Sequence, residues 1–96
     1  TYGLCRILLE ASVRDICFKK KLLPEGADNI VYIEKYKWSD LRDKVSIGEL
    51  SERLKTLYRE LSSLIHARKT INRGEARRAF AETVQLIQDL YSYHGL

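Results

Sequence analysis

The clearest pattern in this sequence is a stripe of aliphatic residues, mostly leucines, spaced by three and four positions. Its members are Ile47, Leu50, Leu54, Leu57, Leu61 and Leu64. Ser46 and Glu49 precede the stripe and fit a capping box, in which the two side chains satisfy free backbone N–H groups at a helix start. The pattern therefore predicts a long amphipathic helix over residues 46–67 that packs one face into a bundle.

Two further long helices flank this one. Residues 1–21 carry apolar side chains around more than half of the helical circumference, which is typical of a central helix packed on two sides. Residues 72–93 have helical spacing behind a second capping box, Asn72 and Glu75, and Gly95 fits the stop. The apolar positions of the first helix are Leu4, Cys5, Ile7, Leu8, Leu9, Ala11, Ile16 and Cys17.

The segment before the leucine-rich helix is less regular. Pro24 and Gly26 break the first helix. Residues 30–37 include β-branched and aromatic side chains that suit a strand as well as a helix, and we assign them to a helix. Ser39 fits the cap of a short helix over residues 39–45. The fold class predicted is all-α, a compact antiparallel bundle of four to five helices.

Length and composition limit the kind of protein. The 96 residues are 45% hydrophobic and 31% charged, as in ordinary globular domains, and suffice for one domain. The apolar runs are too short to span a bilayer and no secretory signal is recognisable, so we expect a cytoplasmic domain without membrane contact. Because the chain opens in helix without Met, we expect one domain, 1–96, cut from a longer protein.

The two cysteines are predicted to be core residues. Cys5 and Cys17 lie about 18 Å apart along the first helix, which excludes a disulfide between them while that helix is unbroken. Neither histidine is near them in sequence, and no phosphate-binding loop or nucleophile elbow is present. We therefore expect no metal and no cofactor.

Arg59 and His66 carry the chemistry that the sequence suggests. They are seven residues apart, two helical turns, on the face opposite the leucines, and Lys55 and Ser62 share that face. A His of ordinary pKa, about 6.5, can transfer the proton of an RNA 2′-hydroxyl or of the leaving oxygen. An Arg can bind the phosphate, and no metal is required. The alternative is a merely solvated helix face.

These residues resemble a known motif. The stretch Arg59-Glu-Leu-Ser-Ser-Leu-Ile-His66 is similar to the Arg-x(4–6)-His motif of the HEPN superfamily, at the longest spacing. It lies at the C-terminal end of the leucine-rich helix, where that family places the motif. The order of elements is also similar, with Arg6 and Glu10 in an opening helix, a loop, the leucine-rich helix, a basic turn and a closing helix. The similar order of elements covers nearly the whole chain, but the motif itself consists of two residues.

The resemblance implies a helical domain that usually dimerises, so that the Arg and His faces of two protomers form a composite site. Many such domains are metal-independent endoribonucleases of toxin, antiviral or RNA-processing systems, and many others are non-catalytic binding modules. One residue departs from the pattern. The family's ribonucleases often have a polar residue such as Asn directly after the Arg, where this chain has Glu60.

A basic cluster follows the motif. It suits phosphate binding at the start of the last helix, although solvation or a protein partner is the commoner use of such a loop. Its members are Arg68, Lys69, Arg73, Arg77 and Arg78. We assign His94 no catalytic role because chain ends fray. Four aromatic residues could stack on bases, but no basic residues group them on one element, so we assign them to core or interface packing: Tyr2, Tyr32, Tyr36 and Trp38.

We therefore expect an RNA-directed domain, a metal-independent endoribonuclease acting through the 2′-hydroxyl, with Arg59 and His66 catalytic. RNA, a second copy of the chain, and an antitoxin or further domains of the parent protein are the expected partners. The alternative is a non-catalytic dimerisation or interaction domain. The expected RNA contacts are Lys55, Ser62, Arg68, Lys69 and Arg73.

Overall fold

Four helices make up most of the chain that the structure describes. This computed structural model describes residues 2–22, 37–66 and 73–96, without the side chain of His66. Helix α1 packs against each of the other helices, so the described residues form the all-α bundle that the pattern predicts, with α1 as its central helix. The helices are α1 (Tyr2–Lys19), α2 (Trp38–Val45), α3 (Glu49–His66) and α4 (Arg73–Tyr93).

Contacts at the helix ends show how the helices run. The Cys17 Sγ atom, near the end of α1, lies 3.9 Å from the Leu41 carbonyl oxygen in α2, and α3 begins soon after α2. The His94 Nε2–H, just after α4, donates to the Val45 carbonyl oxygen at 2.6 Å, so His94 is tied to α2 rather than frayed. Helices α1 and α4 therefore both end where α3 begins, and α3 runs antiparallel to both.

The leucine stripe of α3 forms the middle of the core. Leu54, Leu57 and Leu61 are buried, and Leu50 and Leu64 pack against the core from its edge. This is the face that the spacing predicts, but the stripe begins at Leu50, because Ile47 is exposed and precedes the helix. The core is shared with one side of α1 and with the buried side of α4, so burial of apolar area in α3 stabilises all three long helices together.

Helix α1 buries one side, not two. Cys5 and Leu9 are fully buried, whereas Leu4, Ile7 and Leu8 are exposed. The prediction of packing on two sides is therefore wrong for this helix, because α2, α3 and α4 contact it from the side that carries the buried residues.

Both cysteines lie in the core, which confirms their predicted role. Cys5 and Cys17 are buried and free. Burial raises the pKa of the Cys17 thiol to about 11, so this thiol stays protonated and unreactive at neutral pH.

The capping box predicted at Ser46 is wrong. The Ser46 hydroxyl donates to the Arg42 carbonyl oxygen at 2.8 Å, and the Ser46 N–H donates to the same oxygen at 3.2 Å. Ser46 therefore closes α2 instead of opening α3. Helix α3 begins at Glu49, behind Gly48, whose φ of 63° is a left-handed conformation that glycine adopts readily.

The predicted start of α2 is also wrong by one residue. The helix begins at Trp38, before Ser39, and its cap residue is Lys37. Lys37 makes no side-chain hydrogen bond to the helix start. The Ser39 hydroxyl suits a cap, which is why the sequence predicts the start there. In the structure the last extended residue is Lys37, so Trp38 is the first helical residue. Asn72 of the second capping box and residues 30–36 of the predicted helix lie outside the described residues. Lys37, the last residue of that predicted helix, is extended and not helical.

Helices α1 and α4 end in left-handed turns of different sequence. Gly95, with a φ of 71°, ends α4 and confirms the predicted stop. The turn after α1 is made by Lys21 at a φ of 52°, and the next N–H, of Leu22, donates back to the Cys17 carbonyl oxygen at 3.0 Å. A side chain at a left-handed position costs free energy that glycine does not.

We expect Lys21→Gly to raise the free energy of unfolding by about 0.5–1 kcal/mol, because it relieves that strain. Urea melts followed by circular dichroism measure the change. The matched control is Lys20→Gly, one position earlier and not at a positive φ, which should lose stability instead. A loss in both variants would contradict the strained turn.

Candidate functional site

A groove between α2 and α3 brings together three of the residues that the sequence singled out. Its volume is about 370 Å³. Lys55, Arg59 and Ser62 line it from successive turns of α3, as their predicted shared face requires. We call it the basic groove. Its lining residues are Trp38, Arg42, Lys55, Tyr58, Arg59 and Ser62.

The other predicted site residues are not part of the basic groove as described. Arg73 is exposed at the first position of α4 and does not line the groove. His66 is the last residue of α3, two turns beyond Arg59, and its side chain is outside the description. Arg68 and Lys69 also lie outside the described residues.

The three cations of the basic groove differ in their partners. Arg59 is exposed and has no ion pair with any residue that the structure describes. The Lys55 Nζ atom lies 3.6 Å from Glu52 Oε1, and the Arg42 Nε atom lies 3.3 Å from Asp43 Oδ1. Both carboxylates are largely exposed, and exposed pairs contribute only about 0–1 kcal/mol. An anionic ligand can therefore displace them.

A stacked aromatic pair lines the same groove. The rings of Trp38 and Tyr58 have centroids 4.4 Å apart and planes 19° from parallel. The Tyr58 hydroxyl donates to Glu10 Oε1 at 2.8 Å, and Glu10 lies between Arg6 and Arg14 on α1. Burial, and then the Glu10 carboxylate, raises the pKa of the Tyr58 hydroxyl, so it remains a donor at neutral pH. Helix α1 thereby holds the Tyr58 ring in place.

The sequence does not indicate Arg42 or Tyr58 as site residues, and it indicates only packing for Trp38. Tyr58 follows Leu57 at the edge of the leucine stripe, so a helical wheel places it beside Lys55 and could have found it. Arg42 and Trp38 come from α2. The sequence of α3 alone does not indicate which side of that helix lies next to α2.

A second groove, between α3 and α4, carries the opposite charge. Its volume is about 490 Å³, and its one cation, Arg53, donates to Asp89 Oδ2 at 2.8 Å. The residue that departs from the HEPN motif, Glu60, lines this groove and not the basic groove. Its carboxylate therefore does not belong to the surface that Arg59 shares with the other cations. The glutamates of this groove are Glu49, Glu52, Glu60 and Glu82.

Comparison with known proteins identifies no relative. No family model, no curated protein and no solved structure matches this chain. None of the described helices is long and apolar enough to cross a membrane. Within the same ranges, no three His, Cys, Asp or Glu side chains are grouped to hold a metal ion. The geometry of the basic groove is therefore what bears on function.

Proposed function

We propose that this domain binds RNA in the basic groove and cleaves it with Arg59 and His66, the activity that the HEPN resemblance implies. The observation that supports the proposal is the shared position of Lys55, Arg59 and Ser62 on one groove wall. Because Arg59 has no carboxylate partner among the described residues, its guanidinium is free to bind a phosphate through two parallel hydrogen bonds. Ser62 adds a hydroxyl donor on the next turn.

The proposed reaction needs two proton transfers. The imidazole of His66 removes the proton of a 2′-hydroxyl, and the 2′-oxygen attacks the adjacent phosphorus. The bond from phosphorus to the 5′-oxygen breaks, and a second acid protonates that oxygen. Arg59 stabilises the additional negative charge on the phosphate in the transition state. The products are a 2′,3′-cyclic phosphate and a 5′-hydroxyl, and in a composite site His66 of the second protomer supplies the second proton.

The test uses the purified protein with end-labelled RNA and DNA of the same sequence in EDTA. RNA is expected to be cleaved to cyclic phosphate ends, and DNA is expected to survive because it lacks the nucleophile. RNA affinity should fall as salt rises, since cations of the groove replace counterions on the phosphates. Equal cleavage of DNA, or cleavage only with added magnesium, would refute the proposed mechanism.

A second candidate function, homodimerisation, is favoured by an apolar surface on α1 and α4. The Tyr91 hydroxyl donates to the Asp15 carboxylate. Since the two helices run in the same direction, Leu4 and Ile7 of α1 and Phe80 of α4 all lie toward the other end of the bundle from this bond. Leu4, Ile7 and Phe80 are 56%, 62% and 47% exposed. Exposed apolar residues grouped in this way mark protein interfaces.

We expect Ile7→Glu to raise the dimer Kd by about 10–100-fold, because a carboxylate without a partner would be buried in the interface. Light scattering over a concentration series measures the mass. Ile47→Glu is the matched control, because Ile47 is 72% exposed between α2 and α3, at the opposite end of the bundle. A monomeric wild-type protein at high micromolar concentration, or equal effects of the two substitutions, would contradict this interface.

A further inference from the structure

We infer that the Trp38–Tyr58 pair of the basic groove stacks on an unpaired base, so that the groove selects single-stranded over double-stranded RNA. This inference rests on the proposed RNA-binding function and adds the substrate class. The observation that supports it is that a stacked aromatic pair lies in the same groove as Lys55 and Arg59. Cations that follow the phosphates, with aromatic rings on which bases stack, are the two parts of a single-strand binding site.

The size of the groove fits a nucleotide. Its volume, about 370 Å³, is in the range of sites that hold small organic ligands. Trp38 comes from α2, whereas Lys55 and Arg59 come from α3, so a strand lying between the two helices meets rings and cations together. A base within a duplex already stacks on its neighbours and is paired, and only a strand with unstacked bases can place one against these rings.

The polar atoms of the pair are not available to a ligand. The Tyr58 hydroxyl is engaged by Glu10, and the Trp38 indole N–H is buried without a partner among the described residues. The pair therefore contributes aromatic surface, and not hydrogen bonds, to the lining of the groove. Because every base has a π face, we expect selection for single strands with little preference among the four bases.

The test exploits Trp38 as the one tryptophan of the chain, whose fluorescence reports directly on the groove. The probes are an eight-residue oligouridine, the same backbone with abasic riboses, and an RNA duplex, all at one salt concentration. Oligouridine is expected to quench the fluorescence and to bind roughly 5–150-fold more tightly than the abasic strand. The duplex should bind no more tightly than the abasic strand and leave the fluorescence unchanged.

Variants then assign the effect to the ring. Anisotropy of labelled probes should show that Trp38→Ala loses affinity for oligouridine, by the same factor of roughly 5–150, but not for the abasic strand. Trp38→Phe keeps a ring and removes the buried N–H, so it should fold and restore most of that affinity. Tyr93→Ala, an exposed aromatic beyond the groove, is the control and should match the wild type.

The outcomes separate the two proposals. Equal affinity for oligouridine and the abasic strand would overturn base stacking while leaving RNA binding intact. Absence of binding to any of the three probes would overturn the proposed function and this inference with it. If Trp38→Ala fails to fold, base stacking is tested by comparing the affinities of the wild-type protein and of Trp38→Phe for the three probes.

Discussion

His66→Ala is expected to lower the rate of RNA cleavage by about 10²–10⁴-fold, the usual contribution of a positioned proton-transfer residue. RNA affinity should change little, because the binding cations Lys55 and Arg59 lie elsewhere on α3. Arg59→Ala should lower the rate to a similar degree through loss of transition-state charge stabilisation, and it should also weaken binding. Single-turnover cleavage in EDTA, with RNA affinity measured separately, distinguishes the two effects.

The matched controls are the other histidine and an arginine outside the groove. His94→Gln keeps an N–H that can donate to the Val45 carbonyl oxygen, so it should fold and cleave like the wild type. Arg53→Ala removes an arginine of α3 that lines the opposite groove and pairs with Asp89, so the rate should remain within a few fold. Cleavage that survives His66→Ala but is lost in His94→Gln would show that His94, and not His66, transfers the proton. That result would reject the proposed site.

The elements that sequence predicts well in this protein are those determined locally. Leu54, Leu57 and Leu61 follow helical spacing, so their burial and the exposed position of Arg59 on the other face could be read together. The same geometry placed Lys55 and Ser62 beside Arg59, although the chemical role of these residues is a proposal.

Features that depend on a second element could not be predicted in this way. Ser46 has the spacing of a cap for α3, but its hydroxyl bonds back to α2, and only the path of the chain between the helices decides between these uses. The same limit applies to the Trp38–Tyr58 pair and to the bond from Tyr58 to Glu10, which join three helices. The apolar face of α1 predicts burial, but it does not tell whether this chain or a partner covers it.

Leu61→Ala is expected to lower the free energy of unfolding by about 2–5 kcal/mol. Leu61 is fully buried in the middle of the α3 stripe, so truncation removes buried apolar area and leaves a cavity that α1 and α4 can fill only in part. A domain of this kind is stable by about 5–15 kcal/mol, so one substitution removes a large share of the total. Urea denaturation followed by circular dichroism measures the loss.

Ile47→Ala is the control, because Ile47 is exposed before α3 begins and its truncation should cost less than about 0.5 kcal/mol. The comparison tests more than stability. The buried stripe and the groove wall lie on opposite faces of one helix, so a rotation of α3 that exposed Leu61 would also turn Arg59 away from the basic groove. Equal losses in the two variants would therefore reject the placement of α3 and, with it, the proposed RNA site.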